Sequence, residues 1–140
     1  MSENVHTPIP SDTPLAKSLE RNLTMLKAIT GGSSDVIIKT GMLCGAHIAV
    51  VTCEGMADTD TLAQLIYNKL NAAGNTEKHP PEEIMSRLFD DWLIAAEQLD
   101  IANIGDLVLK MQSGFAIVLV DGTSRGIAIG IQGYPSRGVD

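Results

Sequence analysis

The residues of this chain that could perform chemistry are few, and their spacing matches no catalytic or metal-binding motif. The three histidines lie far apart, at positions 6, 47 and 79. The sequence contains no His-x-x-x-His and no Cys-x-x-Cys, which are spacings typical of zinc ligands. The Ser-Gly pair at 113–114 lacks the context of a hydrolase nucleophile, and no glycine-rich loop precedes a predicted helix. The sequence therefore predicts no catalytic residues, no metal and no cofactor.

The acidic residues Glu54 and Asp121 are the best candidates for contact with a ligand or a partner. Each follows an apolar run and precedes a glycine, so each is expected at the end of a buried strand. Two interpretations fit this position. In the first, which the pattern favours, the carboxylate accepts backbone N–H hydrogen bonds in a turn beside a glycine with positive φ. In the second, it contacts a ligand or partner.

Two of the four arginines, Arg125 and Arg137, lie near the second predicted hairpin. In a chain of net charge −7 they could hold an acidic partner, although an ion pair such as Arg125 with Asp121 is the favoured interpretation. An enzymatic function would require four side chains to converge in one pocket with perturbed ionisation. Those four are Glu54, Asp121, Arg125 and His47.

Composition excludes several classes of protein. A chain of 140 residues with 44% hydrophobic residues can form the core of one domain or of two small lobes. The excess of acidic residues, 17 against 10 basic ones, opposes binding to nucleic acid. The longest apolar run, at 115–120, is far shorter than the ~20 residues of a membrane span. We expect no signal peptide, and two cysteines favour a reducing compartment.

Apolar residues at helical spacing predict about four helices. The first begins with Thr13 as N-cap and Pro14 in the first turn, and it ends at the glycine pair 31–32. The others cover residues 58–73, 81–96 and 103–111. Residues 97–103 fit either the end of a helix or a short strand.

Two β-hairpins are predicted, one from residues 36–43 and 46–53 and the other from residues 115–120 and 126–131. A first turn centred on Gly45 and Ala46 places Cys53 opposite Ile38, and Cys44 at the turn lies beyond disulfide reach. In the last strand, isoleucines alternate with Ala128 and glycines. This alternation leaves one nearly bare face, which a helix, a lobe or a ligand could approach.

These elements predict an α/β or α+β fold, in which two hairpins share one mixed sheet of four or five strands with about four helices packed on it. Residues 1–13 are expected to form a flexible tail and residues 14–132 a single lobe. Residues 133–140 are irregular and resemble the start of a linker.

Four segments and a closing stretch occur in a characteristic order. They are Leu-Ala-Lys-Ser-Leu-Glu-Arg-Asn-Leu (15–23) followed by Leu-Lys (26–27), Ser-Ser-Asp-Val-Ile-Ile-Lys (33–39), Ile-Ala-Val-Val-Thr-Cys-Glu-Gly-Met-Ala-Asp (48–58), Gln-Ser-Gly-Phe-Ala-Ile-Val-Leu-Val-Asp-Gly (112–122) and Gly-Tyr-Pro-Ser-Arg (133–137). In this order they resemble the N-terminal soluble region of the GerA/SpoVAF family of spore germination proteins. The family more often has Asp where Glu54 stands. The closing stretch lacks a Trp and is more similar to the SpoVAF branch.

The resemblance implies a non-catalytic N-terminal region that precedes transmembrane helices, on the cytoplasmic (spore-core) side of the inner membrane. Such proteins sense small nutrients or assist dipicolinate and ion release. In the receptor branch this region has two α/β lobes, so this chain would be the first lobe. Its partners would be other lobes or subunits, a small nutrient-like ligand, or a second copy in a homodimer.

A lobe separated from its neighbour should expose an apolar surface, which we expect near residues 126–131 or 84–96. The alternative to this whole interpretation is a stand-alone ligand-binding or regulatory α/β domain without a membrane link.

Overall fold

The computed structural model describes residues 9–32, 34–43, 45–54, 79–87 and 97–130. Within them lie three helices, α1 (Leu19–Ile29), α2 (Pro81–Arg87) and α3 (Ile104–Gln112). The five strands are β1 (Val36–Leu43), β2 (Ala46–Cys53), β3 (Glu97–Ile101), β4 (Ala116–Val120) and β5 (Gly126–Gly130). The helix predicted at 58–73 lies outside the described residues.

The strands form one sheet in the order β1-β2-β4-β5-β3. The predicted α+β class is confirmed, and the two predicted hairpins do share this sheet. Its strand pairs are all antiparallel, so the predicted mixed sheet is corrected in this respect. The ambiguous segment after residue 96 forms β3 because it pairs along β5 at the edge of the sheet.

The limits of β1 and β2 agree with the prediction, but their register differs by two residues. Cys53 pairs with Val36 rather than with Ile38. The turn is therefore centred one position earlier, where Gly45 adopts a φ of 86° that a residue with a side chain rarely takes. Cys53 is a free, half-buried thiol, and Cys44 lies outside the described residues.

One face of the sheet packs against α1 and α3. Its central side chains are small or aliphatic, and the two helices bury apolar stripes against them. The members of this cluster include Leu19, Leu26, Ala49, Val51, Leu107, Met111, Ile117, Leu119 and Ala128. The bare face of β5 belongs to it, since a Cβ at Gly126 would lie 2.9 Å from a Leu119 methyl carbon. On that side the helix α3 also contacts β5.

The opposite face is buried at its centre. The apolar side chains there, on β2, β4 and β5, are at most 1% exposed, and α2 packs against β4 with the fully buried Ile84 and Met85. The other members are Ile48, Val50, Val118, Val120, Ile127 and Ile129. The expected exposed apolar surface is thus wrong for residues 84–85 and 126–130. Residues 88–96 and 131 lie outside the described part.

The segment before α1 is extended, and the helix begins at Leu19 rather than at 13–14. Pro14 forms an isolated antiparallel bridge with Asn103. The Leu15 amide donates to Ala102 O (3.0 Å), and the Ile104 amide donates to Thr13 O (2.9 Å). These long-range bonds hold the backbone in the β region, so Ser18 becomes the N-cap and accepts from the Arg21 amide.

Residues 9–13 lie beside the start of α3. The Gly105 amide donates to Ser11 O at 2.8 Å, and a Cβ at Gly105 would overlap that same oxygen. The absence of a side chain at Gly105 is therefore what permits this approach. Residues 1–8 lie outside the described part. Among the described helices, none has the length and apolar character to cross a bilayer.

Candidate functional site

The turn after β4 joins three parts of the fold. One Asp121 carboxylate oxygen accepts from the Leu19 amide at 2.8 Å, across 102 positions of sequence. The Asp121 amide donates to His47 O (2.8 Å), and the Gly122 amide donates to Lys17 O (2.6 Å). Asp121 therefore accepts a backbone hydrogen bond in a turn, as the first of the two interpretations predicts, and Gly122 beside it has a φ of +104°.

The position of Asp121 also suits the electrostatics of α1. The first amides of a helix have no partner within it, and the helix dipole favours negative charge at that end. Asp121 supplies an acceptor for Leu19, and Ser18 supplies one for Arg21. Both orphan donors are satisfied by side chains, which anchors the start of α1 to the central strands.

A groove of about 540 Å³ opens beside this turn, between α1 and the hairpin of β1 and β2. Both polar and apolar side chains line it. The lining residues are Ser18, Leu19, Glu20, Leu23, Thr24, Lys27, Thr40, His47, Ile48 and Asp121. No cavity was predicted here from the sequence, because the lining combines residues of α1 with His47 and with Asp121, which is distant in sequence.

The charges of the groove are separated along α1. Glu20 and Asp121 lie at the start of the helix, and Lys27 lies in its last turn. Seven residues of helix separate Glu20 from Lys27, which is about 10 Å at ~1.5 Å per residue. The groove can therefore hold a polar group of either sign. Within the described ranges, no three His, Cys, Asp or Glu side chains are placed to hold a metal ion.

Glu54 is exposed and lies at the other end of the sheet from Asp121. Because β2 and β4 are antiparallel, their carboxyl ends point to opposite edges. Asp121 lies beside His47, and seven residues of strand from His47 to Glu54 span about 23 Å at ~3.3 Å per residue. The four side chains of the enzymatic alternative therefore do not converge.

Of the two candidate arginines, only Arg125 lies within the described residues. The Nε atom of Arg125 lies 3.0 Å from a carboxylate oxygen of Asp100 on β3. The predicted ion pair thus exists, but its acid is Asp100 rather than Asp121, because β3 and β5 are neighbours in the sheet. Arg137 lies outside the described residues.

Asn22 has a structural role that the sequence patterns did not predict. It is 1% exposed, its side-chain oxygen accepts from the Ala16 amide (2.7 Å), and its side-chain amide donates to Ala16 O (2.8 Å). This pair of bonds fixes the extended segment onto α1. A usable signal was present, since Asn22 is a polar residue on the buried helical face between Leu19 and Leu26.

Thr123, one residue beyond the turn, is 1% exposed, and its hydroxyl oxygen has no hydrogen-bond partner in the described part of the chain. Valine has nearly the same shape without the hydroxyl, so Thr123→Val should stabilise the domain by about 0.5–1 kcal/mol. Urea unfolding measures this change. Thr123→Ser keeps the hydroxyl and removes a methyl group, so it should destabilise. A stability loss in Thr123→Val would show that the hydroxyl is bonded after all.

Comparison with known proteins gives matches of three kinds. The family model for the Bacillus/Clostridium GerA spore germination protein matches residues 24–140. Spore germination protein KA of Bacillus subtilis (strain 168) is 27% identical over 131 residues, which are 89% of this chain and 23% of that protein. The chain thus spans about a quarter of the curated relative.

The third match is a solved structure, the N-terminal domain of the A subunit of the Bacillus megaterium spore germinant receptor GerK3. It superposes with a TM-score of 0.70 at 24% identity, covering 89% of this chain and 50% of that one. At this identity the likeness demonstrates the fold.

Proposed function

The chain belongs to the GerA family of Bacillus/Clostridium spore germination proteins, and on this premise we propose that it is a non-catalytic N-terminal lobe of a germination membrane protein. The resemblance inferred from the sequence is confirmed for the family, whereas the matches do not resolve the SpoVAF branch. The observation that carries the proposal is the family match over residues 24–140, together with the fold of a receptor subunit's N-terminal domain.

The lobe contributes to germination signalling, or to dipicolinate and ion release, through contacts with a second lobe and with other subunits. Support for a second lobe comes from the solved N-terminal domain, of which this chain matches only half. Residues 133–140 begin the link to it. In the complete protein the lobe faces the spore core, on the cytoplasmic side of the inner membrane.

The groove beside Asp121 is the proposed place for a small ligand or for a partner side chain. Its volume of about 540 Å³ is within the range of small-molecule sites. Exposed Glu54, at the opposite end of the sheet, is better placed for contact with a partner. Arg125 and Arg137, near the last strand, belong to the same proposed set of partner contacts. A stand-alone ligand-binding or regulatory domain is the second candidate, because the groove lies within this one lobe.

Deletion of the gene in its spore-forming source organism tests the proposal. The expected result is a slowed or abolished response to at least one nutrient, measured as dipicolinate release and loss of optical density. The wild-type gene should restore the response, and the dipicolinate content of dormant spores separates loading from release. A wild-type response across the whole nutrient panel would contradict the proposal.

A matched pair of charge reversals then asks whether the groove takes part. Lys27→Glu changes a groove residue, and Lys17→Glu makes the same change at an exposed side chain that does not line the groove. Both variants should fold, since both side chains are exposed. A shifted nutrient response in Lys27→Glu alone supports groove contact, and equal responses in the two variants speak against it.

A further inference from the structure

Strand β1 is the last strand of the sheet, so one of its two edges faces no other strand among the described residues. It is eight residues long, which is long for an edge strand. Such an edge offers backbone N–H and C=O groups to another chain. The question is which chain its residues fit.

Asp35, which directly precedes β1, and the first four residues of β1 have charges arranged as a palindrome. They are Asp35, Val36, Ile37, Ile38 and Lys39. If two copies of this segment pair antiparallel about Ile37, each Asp35 lies opposite a Lys39 and each Val36 lies opposite an Ile38. The same edge thus presents an acid where its own copy presents a base. Opposite charges directly across a strand pair are stabilising.

The hydrogen-bonding direction of the backbone agrees with this register. The Glu54 amide donates to Asp35 O at 2.6 Å, which continues the ladder between β1 and β2. In an antiparallel ladder the bonding groups alternate between the two edges of a strand. Those of Asp35 and Ile37 therefore point to β2, and those of Val36 and Ile38 point outward. Pairing about Ile37 matches Val36 with Ile38, so outward groups meet outward groups.

We propose that a second copy of this chain binds along β1, with a two-fold axis through Ile37. The sheet then continues across two molecules. At each end of the contact, Asp35 of one copy lies opposite Lys39 of the other. Both residues also have interactions within their own chain, so the contacts between copies add to those. The proposal concerns assembly and does not depend on the role in germination.

The expected affinity is low, because a contact of five residues in each strand is smaller than a stable protein interface. Dimers of the 140-residue chain should form with a dissociation constant on the order of 100 µM in low salt, and weaken as salt screens the charge pairs. Analytical ultracentrifugation over a concentration series measures this equilibrium.

Charge exchange tests the register. Asp35→Lys places Lys opposite Lys, and Lys39→Asp places Asp opposite Asp, so each single variant should weaken the dimer about tenfold. The double variant restores opposite charges and should recover wild-type association. Circular dichroism and thermal unfolding confirm that all three variants fold. Recovery in the double variant supports the proposal, and unchanged association in both single variants overturns it.

Cysteine cross-linking tests the two-fold axis in a background carrying Cys44→Ser and Cys53→Ala. Two copies of Ile37 face each other as a non-hydrogen-bonded pair, about 4.5 Å apart at Cα, so Ile37→Cys should form a disulfide dimer on mild oxidation. Thr40→Cys is the control, since two copies of Thr40 lie about 20 Å apart in this register. Cross-linking at 40 but not at 37, or at neither position, overturns the proposal.

Discussion

Gly122→Ala should destabilise the domain by about 3–4 kcal/mol, one of the two largest effects expected of any single change described for this protein. Two costs combine at this position. Gly122 has a φ of +104°, which residues with a side chain rarely adopt, and a Cβ would overlap the ring of Pro81 at the start of α2. The Gly122 amide is also bonded to Lys17 O, so the turn cannot shift freely.

Gly31→Ala is the matched control for this experiment. Gly31 also has a positive φ, +70°, but a Cβ there would meet nothing within 4 Å. Its substitution should therefore cost only the backbone term, about 1 kcal/mol. Urea unfolding of both variants separates strain from overlap. Equal losses in the two variants would show that the Pro81 ring moves aside without cost. If the ring overlap does contribute, adding Pro81→Ala to Gly122→Ala should recover part of the loss.

Asn22→Asp should cost about 3 kcal/mol of folding free energy at pH 7.5, because it leaves a buried charge without a compensating partner. The carboxylate would be buried, and it could still accept from the Ala16 amide but could no longer donate to Ala16 O. We expect burial and the facing carbonyl oxygen to raise the pKa of the introduced carboxyl above its ordinary value, because both disfavour the charged form.

The destabilisation caused by Asn22→Asp should increase with pH. A carboxyl whose pKa is raised by folding costs nothing below its unfolded pKa, because it is protonated in both states and can donate as the amide did. The cost grows as pH rises and is complete above the folded pKa. We therefore expect a smaller loss at pH 4.5 than at pH 7.5, each measured against the unsubstituted chain at the same pH.

Asn103→Asp is the control that carries the same chemical change. Asn103 is the N-cap of α3, and its side-chain oxygen accepts from the Asp106 amide. A carboxylate serves this role as well as an amide, so the change should stay within about 0.5 kcal/mol at either pH. A pH-independent loss in Asn22→Asp would contradict the donor role assigned to the Asn22 side chain.

Residues 36–53 show how far local pattern carried the prediction of the fold. The alternation of apolar residues and the glycine between the two runs predicted both strand limits, because strand period and turn chemistry are short-range properties. The register was missed by two residues. It depends on which backbone position in the turn adopts a positive φ, and two adjacent positions were compatible with the sequence.

The candidate site was predicted only in part. Asp121 beside Gly122 was recognised as a turn acid, and a turn acid is what the structure contains. The identity of the amide that it binds, Leu19, lies 102 positions away and left no local signal. Glu54 appeared equivalent to Asp121 because both follow buried strands. They lie apart because β2 and β4 run in opposite directions, and the relative direction of two strands cannot be predicted from the residues of either strand alone.

The sequence by itself determined the class of fold, most strand limits, the family and the scarcity of chemically active groups, since all of these follow from composition, short-range periodicity and segment order. Only the tertiary structure decided where α1 begins, which acid Arg125 pairs with, and that a groove exists beside Asp121. The physical reason is the same in each case. Pro14, Arg125 and Asp121 are held by partners distant in sequence, and these long-range contacts outweigh the local preferences of the residues themselves.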